Sequence, residues 1–172
     1  MYQNERAKAS CKICPERFYC DATGGPVVNY TGGVCPEGHY CPLGTRVAEE
    51  FPCLIGTFSN STGSANASEC TQCLGGFYCG EEGLTYPNTP CAGGHFCGYG
   101  AKTSTPKEGE NANICPLGHY CPIQTDEPQK CPRGTLGLIT HMSNIAQCSA
   151  CPAGKYCEIS GQSNFTDLCS AG

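Results

Sequence analysis

Apolar positions along this chain are sparse, and they gather around cysteines rather than along a helical or strand stripe. Leu, Ile, Val and Phe together make up 25 of 172 residues, about 15%, below the ~20% at which a chain needs something other than a greasy core to hold it. Gly and Pro contribute another 36 residues, which argues against long helices and long strands alike. The one recurring apolar signal is an aromatic just before a Cys. It closes a heptapeptide of the form Cys, often Pro, any residue, usually Gly, any residue, aromatic, Cys. The six copies are CPERFYC (14–20), CPEGHYC (35–41), CLGGFYC (73–79), CAGGHFC (91–97), CPLGHYC (115–121) and CPAGKYC (151–157). Pro fixes φ early and Gly permits a positive φ where the chain reverses, so each copy predicts a tight turn followed by a short extended piece. The aromatic is placed to cover a neighbouring cystine. The expected fold is small and disulfide-rich: an elongated cysteine-rich repeat with short β-hairpins and little helix.

A longer period lies above the heptapeptides. Cys53 and Cys70 bracket one 16-residue stretch and Cys131 and Cys148 another, opening alike as CLIGTF and CPRGTL. From Cys53 to Cys131 is 78 residues, as is Cys73 to Cys151. The period divides the chain into an N-terminal arm (1–10), a first repeat (11–69), a second (70–147) and a partial third (148–172). Repeat phase predicts the pairs Cys53–Cys70 and Cys131–Cys148, each worth ~3 kcal/mol through restriction of the unfolded chain.

The 18 Cys supply the order that the apolar residues cannot. In a reducing cytosol they would stay free and leave the conformational entropy of the chain unopposed. An extracellular or cell-surface location is therefore expected. Net charge is −5 with scattered Lys and Arg, a poor footprint for nucleic acid or anionic membrane. No apolar run approaches 18 residues, so no membrane span is predicted. The opening MYQNERAKAS lacks the apolar stretch of a signal peptide, which predicts that the chain is a processed or truncated piece of a longer one.

The pattern C-x-x-C-P-x-G-x-Y-C, with the preceding C-x-x-G-T-F-x-N-S-T-G loop, resembles the GCC2/GCC3 (ephrin-receptor-like) cysteine-rich repeats. Those in turn are similar to the cysteine-rich modules of tumour necrosis factor and growth-factor receptors. The strongest match is 53–79, and the resemblance runs from Cys11 to Cys169. It implies a non-catalytic extracellular protein. It also implies interleaved cystines: Cys14–Cys35 with Cys20–Cys41, and Cys73–Cys91 with Cys79–Cys97. Cys115 and Cys121 exceed that plan, and either bond each other or shift the second repeat into another pattern. Cys151 and Cys169 are counted among the bonded cysteines. Cys11 and Cys157 fall out of phase, which makes them candidates for bonds to another chain or to residues outside this one.

Four N-glycosylation sequons stand at Asn29, Asn60, Asn66 and Asn164; N-linked glycans are expected, and no other cofactor. The Cys-x-x-Cys pairs 11/14, 70/73 and 148/151 are 59 and 78 residues apart, too far for a zinc ribbon, and no βαβ pattern supports a thioredoxin-type site. His39, His95 and His119 share one heptapeptide position, read as a turn-surface place against a disulfide. His141 stands alone. Glu49-Glu50 and Glu81-Glu82 read as solvated loop charges, and 98–114, the longest Cys-free segment, as an exposed loop suited to contacts. No catalytic or metal site is predicted. The leading expectation is a structural module of an extracellular filament, coat or surface appendage, associating head-to-tail or with neighbouring repeats of a larger protein. The alternative is a ligand-binding receptor ectodomain fragment, and a Cys-x-x-Cys oxidoreductase ranks last.

Overall fold

The computed structural model describes residues 12–21 and 33–168. Its regular structure is a series of short antiparallel hairpins and two 3-10 turns. The strands are β1 (Thr57–Phe58), β2 (Thr71–Gln72), β3 (Phe77–Tyr78), β4 (Thr89–Pro90), β5 (His95–Cys97) and β6 (Ala112–Ile114). They continue as β7 (His119–Tyr120), β8 (Gln129–Lys130), β9 (Thr135–Leu136), β10 (Ser149–Ala150), β11 (Lys155–Tyr156) and β12 (Asp167–Leu168). Each odd strand pairs with the even strand that follows it. Two single bridges, Phe18 with Val34 and His39 with Pro52, repeat the arrangement earlier in the chain.

One local rule generates this series. At Cys14, Cys35, Cys53, Cys73, Cys91, Cys115, Cys131 and Cys151 the chain enters the same turn, giving eight copies rather than the six that the heptapeptide shows. The fourth residue of seven copies is a Gly with φ between 74° and 88°, and that of the first copy is Arg17 at 74°. In most copies the fifth residue's N–H donates to the second residue's carbonyl, as from Phe77 to Leu74 at 3.1 Å and from His119 to Pro116 at 3.2 Å. This is a type II turn, whose third corner favours Gly. The strand that leaves the turn pairs with the two residues just before the next copy's Cys, so each hairpin delivers the chain to the next turn.

Copies are then tied by backbone bonds that no side chain specifies. The turn residue's N–H reaches the carbonyl three residues past the turn residue of the next copy: Arg17 to Cys41 at 2.8 Å, Gly94 to Cys121 at 2.8 Å and Gly134 to Cys157 at 2.9 Å. The next copy's first Cys returns a bond to the turn residue's carbonyl, as Cys91 does to Gly76 at 2.9 Å. A second left-handed residue in each following return loop donates to the first Cys of the copy before it. Gly44 does so to Cys14, Gln124 to Cys91, His141 to Cys115 and Gly161 to Cys131, at 2.8–3.0 Å.

Sulfur forms most of the interior. Eleven half-cystines are 0% exposed, and the buried apolar side chains beside them are few: Phe58, Ala65, Ala101, Leu136 and Met142. In the best-developed cluster Tyr78 packs on Cys91, Cys97 and Ala101, so an aromatic of one copy covers the cystine of the next.

The cystine pattern corrects the interleaved pairing. Six bonds close within a heptapeptide: Cys14–Cys20, Cys35–Cys41, Cys73–Cys79, Cys91–Cys97, Cys115–Cys121 and Cys151–Cys157. Cys14–Cys35, Cys20–Cys41, Cys73–Cys91 and Cys79–Cys97 are not bonded to each other, and Cys157 has its partner inside its own copy. The reason is the turn, which brings residue seven back over residue one, with Cα atoms 5.7–6.0 Å apart, within cystine reach. Cys53–Cys70 and Cys131–Cys148 close the two long loops. There the seventh residue is Ser59 or Gly137, and the first Cys bonds 17 residues on instead. Cys11 and Cys169 lie outside the described residues.

The chain divides into two compact units, Met1–Gln72 with Glu81–Pro87, and Cys73–Gly80 with Asn88–Gly172. This packing boundary falls at 72/73 where the sequence period turns at 69/70. Pairing of β1 with β2 holds Thr71 and Gln72 to Phe58 and Thr57 in the first unit. Among the described residues no helix is long and apolar enough to cross a membrane.

Candidate interaction surfaces

The two long cystine loops are built alike. Each carries a 3-10 turn, Ala67–Glu69 or Ile145–Gln147, capped by an Asn in extended conformation. The Asn66 side-chain oxygen accepts from the Ser68 N–H at 3.1 Å, and that of Asn144 from the Ala146 N–H at 2.9 Å. The last residue of the turn reaches back: Glu69 Oε1 accepts from the Ala65 N–H at 3.3 Å, and Gln147 Oε1 from the Ser143 and Asn144 N–H groups at 2.7 and 3.0 Å. These side chains satisfy donors that so short a helix leaves open.

Of the predicted glycosylation sites, Asn60, Asn66 and Asn164 are exposed, and Asn29 lies outside the described residues. Asn66 caps through its oxygen while its Nδ2 donates to Glu69 Oε1 at 3.3 Å. A glycan replaces only one Nδ2 hydrogen, so capping and glycosylation are compatible there. Asn164 Oδ1 accepts from the Phe165 N–H at 3.0 Å.

Arg17 makes a structural contact that the sequence pattern does not single out. Its guanidinium donates to the Gly63 carbonyl at 2.7 Å and meets the Glu69 carboxylate with both terminal nitrogens, at 3.2 and 3.3 Å. The pair clamps the first turn to the 53–70 loop. The available signal is CPERFYC itself, the one heptapeptide with Arg in place of Gly.

The three equivalent histidines differ in their surroundings. His39 and His119 each bring Nδ1 to a carbonyl two residues back, Glu37 at 3.1 Å and Leu117 at 2.9 Å. His95 differs: its ring meets that of His141 edge-on at 5.3 Å, and its buried Nδ1 has no hydrogen-bond partner. Burial holds the His95 pKa below its ordinary value. The Gly93 carbonyl partly offsets this, and the charges of His141 and Lys107 reinforce it. Among the described residues no three His, Cys, Asp or Glu side chains are arranged to hold a metal.

Segment 98–114 is less open than a plain loop. Ala101 is buried and Ala112–Ile114 is strand β6, paired with β5. Between these points the chain borders a cleft of about 490 Å³ that Tyr99, Lys102, Lys107 and Glu110 help to line. A smaller one of about 230 Å³ lies beside Phe96, Tyr99, Glu110, Asp126 and Glu127. Glu49 and Glu50 lie on one short loop, where Glu50 accepts from the Arg46 N–H at 2.7 Å.

Eight cystines with one recurring hairpin define a small disulfide-rich repeat protein, a class that belongs to an oxidising compartment. Comparison with known proteins finds no matching family model and no matching curated protein.

Proposed function

We propose that this chain is a non-catalytic structural module of an extracellular filament, coat or cell-surface appendage, of the GCC2/GCC3-like kind and N-glycosylated at its exposed loops. One observation carries the reading. The bonds that join copy to copy are backbone hydrogen bonds, and the cystines fix each copy's own turn or loop, which leaves the outward side chains free to vary while the stacking stays the same. An architecture of that kind is suited to building length and surface. Placing sixteen of the eighteen cysteines in cystines leaves at most Cys11 and Cys169 as thiols, which disfavours a Cys-x-x-Cys redox enzyme.

Electron microscopy of the protein secreted from an oxidising host tests the reading, together with a thiol titration. Fibres or sheets, with no more than two titratable thiols per chain, are expected. Monodisperse single particles at every concentration would sink it. They would favour a receptor ectodomain fragment, to which the cleft beside Tyr99 and Lys107 could offer a ligand surface.

A further inference from the structure

The eight cystines close in strict succession along the chain. Each ends before the next begins, from Cys14–Cys20 to Cys151–Cys157, and among the described residues none nests in another or ties one copy to the next. Within each unit the copies are joined chiefly by backbone hydrogen bonds and by a thin layer of buried apolar side chains.

Load applied along such a chain meets two kinds of link. Within a copy it crosses the sulfur–sulfur bond, where the Cα atoms stand 5.7–6.0 Å apart, and the residues inside the cystine carry none of it. Between cystines it falls on hydrogen bonds, each of them individually modest. The hairpins meet it end-on. Strands β3 and β4 pair Phe77 with Pro90 and Tyr78 with Thr89, and Cys91 follows Pro90 directly. Pulling Cys91 away from Cys73–Cys79 parts the pair from its outer end, so its bonds are loaded one after another and do not share the force. Hairpins β5–β6 and β7–β8 stand the same way to Cys115 and Cys131.

We infer that this chain is an extensible element whose cystines set how far it stretches. Six loops of 6 residue steps and two of 17 stay closed under load, which holds back 70 of the 143 steps from Cys14 to Cys157. The other half is released, and at 3.3–3.6 Å per residue it spans about 250 Å. The part held back includes the 53–70 loop with Asn60 and Asn66, so those glycan acceptors keep a closed loop while the chain is stretched. Every turn stays closed at its cystine. The stretched chain thus has far fewer conformations than a free one, and relaxation should restore it. The inference rests on the structural reading above for its use, and gives that module a mechanical property.

Optical tweezers holding the full oxidised chain by handles at its two ends test it. Repeated pulls should lengthen the chain without breaking a covalent bond, and each relaxation should return it to its starting length. Adding dithiothreitol should raise the final stretched length by about 200 Å, the freed steps less the eight Cα–Cα gaps. The double variant Cys131→Ser, Cys148→Ser, pulled while oxidised, should end about 55 Å longer than wild type, because 17 steps are freed. That length is read in the stretched state and does not depend on how well the variant folds. An oxidised chain that lengthens only after reductant is added, or one whose final length the reductant leaves unchanged, would overturn the inference, while filaments in the microscope would still support the structural reading. The expected lengths from a protein that forms only single particles would overturn the assembly reading alone.

Discussion

The loops 53–70 and 131–148 are the same backbone with different side chains. The carbonyl of Ser59 accepts the Gly38 N–H at 2.8 Å, and that of Gly137 the Gly118 N–H at 2.9 Å. Ser64 and Met142 occupy one position, their carbonyls taking the Cys41 and Cys121 N–H groups at 2.8 and 2.7 Å. Beyond the backbone the two diverge. The first loop has an acidic cap, Glu69, clamped by Arg17, and carries the Asn60 and Asn66 sequons. The second has the neutral Gln147, a wholly buried Met142, and His141 packed on His95. Geometry in this molecule is therefore set by cystines and turns, and the side chains that differ are left to tune stability, glycan load and response to pH.

If cystines set the geometry, the two loops should depend on them equally. Replacing Cys53 and Cys70 by Ser, or Cys131 and Cys148, should each cost about 3 kcal/mol, since both bonds close loops of the same length. Denaturant unfolding of the oxidised variants measures this. A difference between the two variants above about 1 kcal/mol would mean that Met142 or the Arg17 clamp carries part of what is assigned here to sulfur.

The likeness of the two loops is legible in the amino-acid sequence, because the 78-residue period places Cys53 and Cys131 in phase. The turns are legible for the same reason, Pro and Gly being local signals. Of the short cystines only Cys115–Cys121 is, and there as one of two alternatives. The resemblance to receptor modules implies Cys14–Cys35 and its companions, and only the reversal at residue four shows that residue seven already lies over residue one. The return loops are hidden too: Gln124 and His141 adopt φ 68° and 64° with no glycine to announce it, held by their bonds to Cys91 and Cys115. Arg17 is the third such case. Backbone partners in other copies determine these conformations, and no local pattern reports them.

The caps should separate the loops by a smaller amount. Asn144→Ala should cost about 1 kcal/mol, and Asn66→Ala a similar amount in unglycosylated protein. Asn66→Asp keeps the accepting oxygen, so it should preserve stability while lowering the mass of secreted protein by one glycan. Intact-mass spectrometry together with thermal unfolding checks both halves. An Asp variant that loses as much stability as the Ala variant would show that Nδ2, through Glu69, matters more than the capping oxygen. Unchanged mass would mean that this sequon is empty.

The smallest expected effect is on acid response, and only the second loop should show it. His95 has its folded-state pKa below the ordinary 6.5, first by burial and then by the charges of His141 and Lys107. The unfolded chain therefore takes up the proton first. Stability from this contact is complete above about pH 6.5 and is lost as pH falls from there through the lowered folded value. Protonation places charge on a partly buried ring packed edge-on with His141, the residue whose carbonyl oxygen lies against Gly94. The first loop holds Gly63 at the equivalent position and has no histidine. Amide exchange corrected for intrinsic rates should thus show the Cys121 N–H, bonded to Met142, losing protection between about pH 7.5 and 5 more than the Cys41 N–H, bonded to Ser64. His141→Asn, which tolerates the left-handed conformation, should remove much of the difference. Equal loss at both amides in the wild type would mean that the His95–His141 contact does not tune the loop.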